Sequence, residues 1–141
     1  MLLGEYNQNI DAKGRVNIPC KFRDDLGQTF VVSKGLDGCI ALYPRDEWKA
    51  FMERIISENP TQRRKLIHFF SSGAKECELD TQGRVVIPPE HRAYAGLDKE
   101  ITVVGSYKNA EIWDRARWQA YNADEALDAE EIAKAMEAFG L

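Results

Sequence analysis

Two short segments of this 141-residue chain carry the same chemistry at the same spacing: Asp11-Ala12-Lys13-Gly14-Arg15 and Asp80-Thr81-Gln82-Gly83-Arg84. Asp at the first position and Gly at the fourth suit a tight turn. The Asp side chain accepts from the turn backbone, and Gly takes the positive φ that closes it. Nothing in such a turn requires a guanidinium. An arginine there can form a local ion pair with its aspartate, which on a surface adds little stability. It can also reach outward as a planar fork of N–H donors, shaped for a phosphate or for the O6 and N7 edge of guanine in the major groove. Lys13 at the first tip adds a phosphate-seeking charge, and Gln82 at the second adds a hydrogen-bonding amide without charge. Lys21 and Arg23 follow the first turn closely and read as further basic points beside it.

Other reactive side chains are sparse. Cys20, Cys39 and Cys77 are odd in number and far apart, so neither a disulfide framework nor a Cys-x-x-Cys metal site is expected, and each reads as a small buried apolar residue. His68 and His91 lie in no His-Glu-x-x-His pattern, and no Gly-x-Ser-x-Gly elbow or glycine-rich phosphate loop occurs. No cofactor, metal site or catalytic residue is expected. An enzyme has the least support and would need a pocket gathering a histidine with carboxylates.

The two turns belong to a longer internal repeat. Asp, Gly, Arg, Val, Ile and Pro recur at an offset of 69 from Asp11–Pro19 to Asp80–Pro88. At an offset of 70, Gly35 meets Gly105, Arg45 meets Arg115, Tyr43 meets Trp113, Trp48 meets Trp118 and Phe51 meets Tyr121. Two copies are too few for a solenoid and suit two halves completing one core around a pseudo-two-fold. Each copy reads as an extended stretch (Leu3 to Ile10, Ala74 to Leu79), the turn, and a return strand (Val16-Asn17-Ile18, Val85-Val86-Ile87), a hairpin by sequence. Cys77 and Leu79 alternate with Glu76 and Glu78 as in a half-buried strand. A short helix carrying Phe22 and Leu26, or Tyr94 and Leu97, comes next. Then follow strand pairs Thr29–Ser33 with Ile40–Tyr43 and Glu100–Gly105 with Ala110–Trp113. Arg45 to Ser57 spaces Trp48, Phe51, Met52, Ile55 and Ile56 along one helical face. Thr61 is expected to cap a second helix over Gln62–Ser72, and a last helix is expected from Asp124 to Phe139 with Gly140 beyond it.

Composition frames these elements. Hydrophobic residues at 44% and charged residues at 30% exclude a disordered or fibrous chain. No apolar run reaches the roughly 20 residues that a membrane span needs, and the first residues do not form a signal peptide. The absence of a disulfide pattern points to a reducing cytoplasm. The formal charge of −4 argues at first against a nucleic-acid partner.

With its duplicated Asp-x-x-Gly-Arg turn, the matched Trp48 and Trp118 and this short length, the chain resembles the MraZ family of bacterial transcriptional regulators over essentially its whole extent. The resemblance implies an α+β fold with a mostly β core: two tandem AbrB-like swapped-hairpin repeats forming a pseudo-two-fold, β-barrel-like unit with flanking helices. Repeat 1 would cover residues 5–47 and repeat 2 residues 76–119. A helical connection over 48–75 would join them, and an acidic C-terminal helix would occupy 120–141. It further implies homo-oligomeric rings that bind short direct repeats in double-stranded DNA upstream of the division and cell-wall gene cluster, including the family member's own gene. These proteins act mostly as repressors in the cytoplasm and nucleoid. The family's DNA-contacting motif falls on Asp11 to Arg15: Arg15 in direct contact, Lys13 assisting at phosphates, Asp11 orienting Arg15. Arg84, with Gln82 at its tip, falls on the second motif, and whether that turn touches DNA stays open. The rival reading is a protein-interaction or antitoxin-like module whose hairpins serve assembly and whose last helix meets the partner.

The charge also divides. Residues 122–141 hold six acids and one base, a net of −5, leaving 18 bases and 17 acids elsewhere, a net of +1. Residues 60–75 carry Arg63, Arg64, Lys65 and Lys75 with no acid. The net charge therefore hides segregation, with the acidic end expected to face away from nucleic acid.

Overall fold

The computed structural model describes residues 1–57 and 59–141, with the backbone alone at position 125. Strands β1 (Glu5–Asn9) and β2 (Arg15–Asn17), helix α1 (Cys20–Leu26), and strands β3 (Thr29–Lys34) and β4 (Ile40–Pro44) form the first copy. Helices α2 (Arg45–Ser57) and α3 (Pro60–Ser72) follow. The second copy repeats the order: β5 (Lys75–Glu78), β6 (Arg84–Val86), α4 (Pro89–Ala95), β7 (Glu100–Ser106), β8 (Asn109–Asp114) and α5 (Arg115–Asn122). A 3-10 turn at Glu125–Leu127 and helix α6 (Ala129–Glu137) end the chain.

Pairing between strands is set across the copies. A six-stranded antiparallel sheet has the order β1-β7-β8-β4-β3-β5, and a separate two-stranded sheet joins β2 to β6. Exchanging the copies reverses the first order onto itself, so the sheet topology carries the pseudo-two-fold expected from the repeat. The first strand of each copy lies on the other copy: β1 on β7 with Tyr6 opposite Val103, and β5 on β3 with Phe30 opposite Cys77. The local hairpins read from sequence are thereby corrected. The turns form, but β1 and β2 share no strand ladder; instead the Gln8 side-chain amide bonds the backbone of Asn17 in both directions, at 2.6 and 3.0 Å. The expected β-barrel-like unit is met only in part, since the sheet is not closed. Strands β1 and β5 remain the sheet's edges because the chain leaves them by a turn, and the three-residue return strands pair with each other.

Alternation explains the layering. In β3, Phe30 and Val32 face one side; in β7, Ile101 and Val103 do the same, joined by Ile40, Leu42, Ala110 and Ile112. They form one core with Val16, Ile18, Phe22 and Leu26 of the first copy and Val85, Ile87 and Ala95 of the second. Neither copy could close that core alone. On the other sheet face lie α2, α3 and α5. There the matched aromatic positions form matched triads. Tyr43, Trp48 and Phe51 lie 5.3 to 5.8 Å apart, and Trp113, Trp118 and Tyr121 lie 4.9 to 5.8 Å apart. The matched arginines clasp the exchanged strands. Arg45 pairs with Glu76 of β5, while Arg115 donates to the Gln8 carbonyl of β1 at 2.8 Å and to Glu100 at 2.7 Å.

Three local expectations change. Asn59, not Thr61, caps α3: its side chain accepts from the Thr61 N–H at 2.8 Å, and Pro60 fills the first helical position, where its missing N–H costs nothing. The last helix is interrupted, since Asp128 accepts from the Glu131 N–H at 2.9 Å and starts α6 anew. Cys39 is buried and Cys77 half-buried, but Cys20, at the first position of α1, is exposed. Burial pushes the Cys39 thiol far up. No helix among the described residues is long and apolar enough to cross a membrane.

Candidate nucleic-acid interface

Both Asp-x-x-Gly-Arg turns close in the same way. The Gly14 N–H donates to the Asp11 carbonyl at 2.9 Å, and the Gly83 N–H to the Asp80 carbonyl at 3.0 Å, with φ of +79° and +76° at the glycines. One oxygen of Asp11 accepts from the N–H groups of Lys13 and Arg15 at 2.9 and 2.8 Å, and the other accepts from Arg15 Nε at 2.5 Å. Asp80 repeats this with Gln82 and Arg84, and its Arg84 Nε contact is 2.9 Å. Each carboxylate thus fixes the turn backbone and the base of its arginine together. The Nε of each arginine is occupied, while its two terminal nitrogens have no protein partner among the described residues. These are the pair that a bidentate contact uses.

The donors around them hold both carboxyls below the ordinary aspartate value of 3.8, with the N–H of Arg15 or Arg84 the largest cause in each case. A depressed folded-state value means that the stabilisation is complete above the ordinary value and is lost as pH falls through the lowered one. We expect wild type to lose thermal stability more steeply than Asp11→Asn/Asp80→Asn as pH drops below 3.8, and the two to run parallel above it, read by circular dichroism melts.

Strand pairing joins the two turns into one surface. In the β2–β6 ribbon, Val16 lies opposite Val85, Arg15 opposite Val86 and Asn17 opposite Arg84. Val16 and Val85 are buried on the core side. Strand alternation therefore puts Arg15, Asn17, Arg84 and Val86 together on the outer side, and Val86 is 54% exposed. The two arginine Cα atoms sit diagonally across the ribbon, ~8 Å apart by strand geometry. Lys13 and Gln82 are both exposed at their turn tips, at opposite ends of this antiparallel ribbon. All five site residues expected from sequence thus border one ribbon.

The supporting shell was not anticipated. Arg23 is not a basic point beside Lys13. It turns inward, donating to the Ile18 carbonyl at 2.8 Å and to Asn17 Oδ1 at 3.1 Å, with its guanidinium beneath Gly83 of the other turn. Arg92 lies beneath Gly14, where an added Cβ would come within 2.8 Å of its guanidinium carbon. Arg23 and Arg92 stand at the same offset of 69 as the turns, a match in the sequence whose meaning needed the strand exchange. His91 lines a cleft of about 310 Å³ with Glu90, but its Nε2 is engaged by the Gly73 carbonyl at 2.6 Å and its Nδ1 is buried. Among the described residues no group of three His, Cys, Asp or Glu side chains could hold a metal ion.

A family model described as "MraZ protein, putative antitoxin-like" matches residues 1–67 and again 70–139, one match for each copy. Curated relatives match along the full chain. Transcriptional regulator MraZ of Lachnoclostridium phytofermentans is 47% identical over 100% of this chain and 99% of its own length. The protein of that name from Alkaliphilus metalliredigens is 46% identical, and that from Acetivibrio thermocellus 43%, each over the whole of both chains.

Proposed function

This chain belongs to the MraZ family, and from that premise we propose that it is a sequence-specific DNA-binding transcriptional regulator, not an enzyme, whose β2–β6 ribbon enters the major groove. The observation that carries this reading is the outer face of the ribbon: two arginines whose terminal nitrogens have no protein partner among the described residues, each pinned at Nε by a carboxylate that also fixes its turn. A two-stranded antiparallel ribbon is one of the two elements that the major groove admits. Arg15 and Arg84 read bases, and Asp11 and Asp80 orient them. Lys13 holds a phosphate at one end, and Gln82 is a weaker counterpart at the other. The relatives' name, transcriptional regulator, supports the class.

The finer parts of the reading follow from the family. The two copies, 5–47 and 76–119, act as AbrB-like repeats that exchange strands within one chain; 48–75 connects them and 120–141 is an appendage. Copies assemble into a ring on short direct repeats upstream of the division and cell-wall genes, including the protein's own gene. The usual outcome is repression, in the cytoplasm at the nucleoid. One ribbon offers few charged contacts, so several tethered ribbons on repeated sites gain affinity through effective concentration. A gel-shift titration of DNA upstream of its own gene against unrelated DNA of equal length tests this. Preference for the upstream DNA, weakening as salt rises, is expected; equal affinity for both would sink the proposal.

A further inference from the structure

Through the turns and return strands the two copies match at Asp, Gly, Arg, Val, Ile and Pro, and they differ at three positions: Ala12 against Thr81, Lys13 against Gln82, and Asn17 against Val86. The third difference lies on the outer face of the β2–β6 ribbon, beside the arginines. The register sets Val86 opposite Arg15 and Asn17 opposite Arg84. Backbone hydrogen bonds join Ile18 to Gly83 and Ile87 to Gly14. By alternation, both outward pairs are then of the non-hydrogen-bonded kind, with Cα atoms about 4.5 Å apart and side chains close together. That separation is near the ~3.4 Å step between neighbouring nucleotides of one strand. One arginine therefore has an apolar neighbour about a base step away, and the other a polar one.

Val86 is exposed while its strand neighbours Val85 and Ile87 are buried. The fold does not require an apolar residue there, because the matching position carries Asn17, also exposed. Asn17 is tied to its own copy: its Oδ1 accepts from Arg23 at 3.1 Å and its backbone pairs with the Gln8 amide. Its Nδ2 has no protein partner among the described residues and can donate to a base acceptor. In the major groove, the apolar group that a base edge offers is the C5-methyl of thymine. We propose that Val86 packs on the C5-methyl of a thymine adjacent to the guanine read by Arg15, and that this contact, absent beside Arg84, fixes the direction in which the ribbon lies on its site. A face with true two-fold symmetry would bind either way round and suit a palindrome. One apolar neighbour makes the two directions unequal, as repeats read in a single orientation require. The inference rests on the groove-reading ribbon proposed above and adds the base beside the guanine.

Deoxyuridine in place of thymine removes only the methyl, so the first test changes the DNA and leaves the protein untouched. Gel-shift titrations use the upstream DNA with thymines replaced at one position of the repeat at a time. Wild type is expected to lose about fourfold in affinity per engaged ribbon, the effect of burying one methyl-sized group, at a thymine beside a guanine. Val86→Ala should bind thymine and deoxyuridine DNA alike at that position. The exchange Asn17→Val/Val86→Asn should move the sensitive thymine to the guanine read by Arg84. Upstream DNA preferred but bound equally with and without each methyl overturns the contact and spares the groove-reading ribbon. So does a methyl dependence that Val86→Ala leaves in place or that the exchange does not move. No preference for the upstream DNA overturns both.

Discussion

Arg15→Ala is expected to lower affinity for the upstream repeats roughly 5- to 150-fold per engaged ribbon, the range corresponding to about 1–3 kcal/mol for a bidentate guanine contact. The melting temperature should not fall with it. Arg15 is half-buried, its partner Asp11 keeps the N–H groups of Lys13 and Arg15, and the turn is closed by backbone. The substitution should also relax sequence preference, because it removes a base reader. Lys13→Ala should behave differently, weakening all DNA sequences alike and flattening the salt dependence by about one ion. Arg84→Ala is the informative companion. Were only the first turn engaged, Arg84→Ala would leave binding intact; on a shared ribbon face it should lose affinity as Arg15→Ala does. Where a ring engages several sites, the per-ribbon losses multiply.

The largest stability effect is expected from Phe22→Ala, about 3–5 kcal/mol, a large fraction of what a domain of this size possesses. Phe22 is fully buried on a seven-residue helix and meets Tyr6 of β1 edge-on at 5.4 Å. Its core includes Val85, Ile87 and Ile101 of the second copy. The exchanged strands make a further claim about cooperativity. Denaturation of this variant, followed by fluorescence of Trp48, Trp113 and Trp118, should remain one transition with the midpoint seen by circular dichroism. A separate early transition for one copy would contradict a shared core.

The sequence is most legible where chemistry is local. The Asp-x-x-Gly-Arg turns, the positive φ at Gly14 and Gly83 and the alternation at Cys77 and Leu79 all follow from short-range rules and appear in the fold, while the expected face of α2 appears in part, with Ile55 buried, Trp48, Phe51 and Met52 half-buried and Ile56 exposed. The matched aromatics Tyr43/Trp113, Trp48/Trp118 and Phe51/Tyr121 were legible as a repeat, and each set forms its own aromatic cluster, with Tyr43 stacked on Phe51 in one and Trp118 on Tyr121 in the other. Partner choice was not legible from the residues. Nothing in Glu5–Asn9 says that its neighbour is Glu100–Val104 and not Arg15–Asn17, because either register buries the same alternating side chains. The hidden roles of Arg23 and Arg92 follow from that gap: each supports the turn of the other copy, and only the exchange brings them there. Asp128 illustrates a further limit. Its neighbours continue a helical pattern, and only the bond it accepts from Glu131 shows that the helix restarts.

The central claim is that one ribbon face, Arg15 with Arg84, reads guanines in the major groove. Methylation interference on the upstream DNA tests it most directly, because dimethyl sulfate marks guanine N7 in the major groove and adenine N3 in the minor groove. The account predicts that N7-methylated guanines within each repeat block binding, and that Arg15→Ala and Arg84→Ala each erase the interference at a different guanine. Interference confined to adenine N3, or a guanine pattern indifferent to both arginines, would contradict it.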